Sequence, residues 1–136
     1  MKRLLRSCVG LALASGLLGR PVLADENPQA ATAQAATLMT KDLPEFRGKE
    51  AVMLTVEYPP GAASKPHRHH SHVFVYVLEG SYATQVAGGA RVVLKAGETF
   101  YELPTDEHVV SANASDTEPA KILVFMLQDK AAPRKD

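Results

Sequence analysis

Cysteine is nearly missing from this 136-residue chain: Cys8 is the only one. No disulfide can therefore close within it, and thiol nucleophiles or cysteine-based metal sites are excluded from the body of the protein. Long apolar runs are missing as well. The longest, from Cys8 to Gly19, is about a dozen residues, well short of the roughly 20 that span a bilayer as a helix. Neither sign of charge dominates, with 15 basic and 15 acidic side chains. No phosphate-cradling glycine loop, no activated-nucleophile motif and no internal repeat can be found. A convincing long stretch of helical periodicity is lacking too.

What is present begins with a processing signal. Lys2, Arg3 and Arg6 precede the apolar run, and Val22-Leu23-Ala24 supplies small residues where a signal peptidase cuts. Residues 1–24 read as a signal peptide cleaved after Ala24, which predicts a periplasmic or secreted protein with no stable membrane anchor. Cleavage removes four basic residues and no acid, so the mature chain carries 11 basic against 15 acidic groups. That mild acidity argues against nucleic acid as a partner. The cysteine leaves with the signal.

Residues 25–36 hold mostly Ala, Gln, Thr and Pro and read as a flexible leader, because they offer too little apolar surface to offset ordering. Leu38 to Gly48 is expected to be an irregular lead-in, with room for a short helix. From Ala51 the pattern changes to period two. Val52, Leu54, Val56 and Tyr58 alternate with Met53, Thr55 and Glu57, as in a half-buried strand. Further strands are predicted at Val73–Leu78, Tyr82–Val86, Arg91–Lys95, Glu98–Leu103, His108–Ser111 and Lys121–Leu127. Gly88-Gly89, Ala96-Gly97 and Pro104-Thr105-Asp106 mark turns between them. Short strands at this spacing indicate an all-β sandwich or barrel of about eight strands, a double-sheet jelly roll being one solution. The domain is expected over residues 37–128, with a charged, frayed tail over 129–136. Val73 to Leu78 is apolar on both faces, so it is expected to be covered on both, inside a sandwich or beneath a second subunit. The second case predicts a homodimer.

Four of the five histidines lie between His67 and His72. In extended chain, residues i and i+2 share a face, so His67 and His69 project together while His70 points away. Paired imidazoles of this kind suit a transition dication. His108 follows in a second strand-forming stretch.

These segments resemble the two motifs of a small single-domain cupin. In the first, Gly61, His67, His69 and Gly80 fall in register, and Val73 stands where the family has glutamate. In the second, Gly97 and His108 match, Leu103 and Thr105 replace Pro and Gly, and Asn113 comes one residue late. The resemblance covers roughly Lys49 to Gln128. It implies a double-stranded β-helix, or jelly-roll, barrel in which His67, His69 and His108 bind one divalent transition metal: Zn, Fe, Ni, Cu or Mn. His72 could replace the lost glutamate if a bulge turned it inward. Glu102 is the other candidate, as a ligand or a catalytic general base. Tyr76, Tyr82, Phe100 and Tyr101 are candidates for lining a pocket.

Two functions are compatible with this reading. One is a metal-dependent enzyme acting on a small oxygen-rich organic molecule by dioxygenation, isomerisation or decarboxylation. The other is a non-catalytic module that binds a metal or small ligand.

Overall fold

The computed structural model describes residues 32–130. The signal segment, most of the expected leader and the last six residues lie outside them. Within the described residues there are eight strands and no helix. They are β1 (Gln34–Leu43), β2 (Lys49–Tyr58), β3 (His72–Glu79), β4 (Ser81–Val86), β5 (Val92–Lys95), β6 (Thr99–Glu102), β7 (His108–Asn113) and β8 (Ala120–Asp129). A five-stranded sheet runs β1-β2-β8-β3-β6 and a three-stranded sheet runs β5-β4-β7, with antiparallel pairing throughout. The architecture is an all-β jelly roll, as the strand spacing implied.

Alternation positions the core. Val73, Val75 and Val77 of β3 are buried, while Phe74, Tyr76 and Leu78 between them are exposed. The buried set meets Tyr58 from β2, Tyr82 from β4, and Ile122 and Val124 from β8, so side chains of both sheets share one apolar core. Gly80, between β3 and β4, has φ of +70°, and a Cβ there would strike the Pro119 carbonyl oxygen. Only glycine supplies both the left-handed backbone and the missing volume.

Two expectations are corrected. The irregular lead-in is β1, which begins inside the expected leader and pairs with β2 along its length apart from a bulge near Leu38. Nine of its ten residues are exposed, so the ladder to β2 orders it and burial contributes little; hydropathy could not reveal such a strand. β8 runs one residue into the expected tail, to Asp129, and is tied down at Gln128. Its side chain is buried and donates through Nε2 to Glu50 Oε1 at 2.7 Å. Among the described residues nothing covers the outer face of β3, where Phe74 and Tyr76 remain 45% and 44% exposed, which leaves a second subunit as the cover that the sequence anticipates.

Candidate metal centre and cavity

The site lies between the sheets, where a cavity of about 380 Å³ opens among β2, β3, β8, β7 and the connection from β2 to β3. That connection runs antiparallel to β7. Ala63 faces Ala112, and His67 faces His108 in a bridge closed by N–H···O bonds of 3.1 and 2.9 Å. The first histidine motif is thus held beside the second by backbone hydrogen bonds rather than by a full strand.

Parity continues unbroken from the connection into β3. His67, His69, Ser71 and Val73 turn inward, and His70 and His72 are exposed. His70 has φ of +50°, a left-handed residue where the chain swings into β3. No bulge rotates His72: its pairing with Leu127 and that of Val73 with Met126 are consecutive. Its Nδ1 instead lies 2.6 Å from the exposed Tyr101 hydroxyl, on the outer face. His72 is not part of the cluster.

His108 reaches the cavity because of a bulge elsewhere. Val86 pairs with His108 and Gln85 with Val110, leaving Val109 unpaired. The extra residue lets His108, Ser111 and Asn113 all turn inward, and all three are buried. It also explains why Asn113 comes one residue late in the second motif. Its amide donates to the carbonyls of Tyr58, Pro59 and Glu118, tying β7 to the end of β2.

His67, His69 and His108 each present a ring nitrogen, and the three lie within 4.8 Å of one another. His67 Nε2 is 3.0 Å from His69 Nε2, and His67 Nδ1 is 2.7 Å from the Lys65 carbonyl. That second contact fixes the tautomer: Nδ1–H donates to the carbonyl, and Nε2 keeps its lone pair for the cluster. His108 Nε2 lies 2.7 Å from the Thr84 hydroxyl.

Glu102 was the other candidate, and it is buried. It pairs across the sheet with Val73, the position where the motif glutamate is lost. Its Oε1 approaches His108 Nδ1 to 3.1 Å, but the alignment is not that of a hydrogen bond, and both atoms lack hydrogen-bond partners among the described residues. Among the described residues no lysine or arginine lines the cavity, and three imidazoles beside this buried carboxylate are a donor set that fits a metal ion.

Of the candidate aromatics, Tyr82 lines the cavity and Phe100 packs against the core. Tyr76 and Tyr101 are on the outer face. The sequence reading passed over Tyr58, Thr84 and Ser111 as functional residues. Small hydroxyl side chains at inward strand positions were the available signal, but the Val109 bulge hides the parity of Ser111. The hydroxyls of Tyr58 and Tyr82 each lie 2.7 Å from Ser111 Oγ.

A family model for the cupin domain matches residues 54–126, more than half of the chain. The protein belongs to the cupin family. Solved structures agree on the fold. A cupin domain from Bordetella pertussis is 19% identical, with a TM-score of 0.57 over 74% of this chain and 97% of that one. A cupin 2 conserved barrel domain protein from Salinispora arenicola is 25% identical, with a TM-score of 0.53 over 73% and 77%. The Cnp3 cupin domain of Schizosaccharomyces pombe gives 18% identity and a TM-score of 0.59 over 71% of this chain, which spans 61% of its length. No curated protein matches the sequence.

Proposed function

We propose that this is a metal-dependent cupin enzyme that acts on a small oxygen-bearing organic molecule inside the barrel. The observation that carries the reading is the convergence of His67, His69 and His108 at the wall of a largely apolar cavity. Three imidazoles suit Zn, Fe, Ni, Cu or Mn better than Mg or Ca, which favour oxygen donors. When bound, such an ion would polarise a carbonyl or hydroxyl and lower its pKa. The chain's own residues have separate tasks. The Lys65 carbonyl and the Thr84 hydroxyl orient His67 and His108. Val73 and Val75 of β3, with Ile122 and Val124 of β8, give the site an apolar lining. Glu102 Oε1, 3.1 Å from His108 Nδ1 and without a hydrogen-bond partner, is placed to accept a proton from a bound molecule. Dioxygenation, isomerisation and decarboxylation all remain open to such a site.

A binding module is the second reading, favoured by one observation: among the described residues Glu102 is the only carboxylate lining the cavity, so no second carboxylate faces a ligand as its acid–base partner. Turnover of a substrate panel by the metal-loaded protein separates the two.

The metal centre is tested first. His67→Ala, His69→Ala and His108→Ala should each lower metal affinity by more than the 10- to 100-fold typical of losing an outer-shell partner. His70→Ala and His72→Ala should leave it unchanged, since both side chains are exposed. Stoichiometric metal in a His67→Ala/His69→Ala double variant, measured by elemental analysis, would sink the reading.

A further inference from the structure

The lining of the cavity is uneven. Val52, Val56, Val75, Ile122 and Val124 of the larger sheet form an apolar patch, interrupted on that sheet by Thr37 and Gln128. Most of the remaining polarity gathers around the histidines: Glu102 beside His108, then a cluster of hydroxyls to which β2 contributes Tyr58. A ligand polar all round would leave its groups unpaired against the valines, and a purely apolar one would leave the hydroxyls unpaired. With no lysine or arginine among the described residues of the lining and Glu102 present, a phosphate or second carboxylate would meet no cation there away from the histidines.

Proton counting narrows the class further. Tyr58, Ser64, Tyr82 and Ser111 contribute four hydroxyl groups and therefore four protons. Three hydrogen bonds join them: Tyr58 to Ser111 at 2.7 Å, Tyr82 to Ser111 at 2.7 Å, and Tyr58 to Ser64 at 3.3 Å. One proton is left over. All four residues line the cavity, so the cluster can always offer a ligand one O–H donor. Burial holds the Tyr82 phenol well above its usual pKa, so its proton stays in place. Tyr82 and His108 lie edge to face with ring centroids 6.5 Å apart, which places the donor and the histidines within one small molecule's reach.

We infer that the cavity takes a neutral hydroxylated monocyclic compound, of the phenol or cyclic-enol class, with its ring against β2 and β8. One oxygen meets the histidines and a second accepts from the Tyr58–Ser111–Tyr82 cluster. The first contact rests on the metal-centre reading; the second does not. A volume of about 380 Å³ is near the lower end for small-molecule sites and suits one ring.

The test titrates the full chain, zinc-loaded and metal-free, with resorcinol, toluene and glucose 6-phosphate by calorimetry. Resorcinol should bind saturably to both forms, more tightly with zinc, and more tightly than either other probe. Ser111→Ala breaks two of the three bonds and by the same count leaves two free O–H donors instead of one, so resorcinol affinity should rise about tenfold, the scale of one hydrogen bond in a buried site. If that variant fails to fold, Tyr58→Phe, which removes the oxygen shared by two of the three bonds, should show the same gain. Equal or lower resorcinol affinity in the folded variant overturns the inference, as does tighter binding of toluene or glucose 6-phosphate. So does an absence of saturable resorcinol binding to both forms. Zinc stoichiometry on the same samples keeps the two ideas apart. Zinc bound with no effect of Ser111→Ala removes the ligand class alone. A Ser111-dependent resorcinol site in protein that binds no zinc removes the metal centre alone.

Discussion

At the scale of single residues, the interior polar groups are costly unless each finds a partner, and most do. The Tyr82 hydroxyl is satisfied by Ser111, and desolvation raises its pKa above the ordinary phenol value of about 10. The native state therefore holds this proton more tightly than the unfolded chain does. Its contribution to stability is complete below about pH 10 and is lost as pH climbs beyond that value. Melting temperatures followed from about pH 8 to about pH 11.5 should fall more steeply for the wild type than for Tyr82→Phe, which has no proton to lose. Parallel curves would show that Tyr82 does not carry the alkaline limb. Glu102 differs from Tyr82 in having an oxygen without a hydrogen-bond partner.

Among the elements, β7 decides most about the site. Its bulge at Val109 compensates for a one-residue excess between His108 and Asn113. Deleting Val109 would leave those residues an even spacing apart, so a regular strand would still turn both inward. The deletion should keep the fold and the metal affinity. Deleting Ala112 instead turns the asparagine side chain outward and breaks its three bonds to the carbonyls of Tyr58, Pro59 and Glu118. That variant should lose several kcal/mol, at about 1 kcal/mol per bond plus the unpaired carbonyls. Chemical denaturation compares the two directly. Equal damage from both deletions would refute the compensating role of the bulge.

For the whole molecule, the outer face of the larger sheet is the feature one chain leaves unfinished. Phe74, Tyr76 and Leu78 of β3 are exposed; Phe74 packs against Tyr101 and Phe125 at centroid distances of 5.0 and 6.1 Å. We propose that a second copy covers this face, because an uncharged aromatic surface complements itself across a two-fold axis. Light scattering at micromolar concentration should return a dimer mass, and Phe74→Glu should return a monomer with an unchanged fold. A monomeric wild type would rule this pairing out. Export is likewise a proposal, resting on Lys2, Arg3, Arg6 and Val22-Leu23-Ala24. The exported product should have an intact mass beginning at Asp25; a product retaining Met1 would contradict it.

Alternation and spacing were local properties, and the sequence alone determined what depends on them. The strands from β2 to β8 could be placed within a few residues, because half-buried strands carry a period of two. The inward pairing of His67 and His69, and the outward turn of His70 and His72, follow from the same rule. The approach of His108 did not, because it rests on a bulge and on backbone bonds to a segment some forty residues away in sequence. β1 escaped notice because an exposed edge strand needs no apolar pattern, only a ladder. The burial of Glu102 opposite Val73, and the meeting of Tyr58, Tyr82 and Ser111 from three strands, were also decided by tertiary structure. Cross-strand register brings those groups together, and register is a property of paired strands that no single segment encodes.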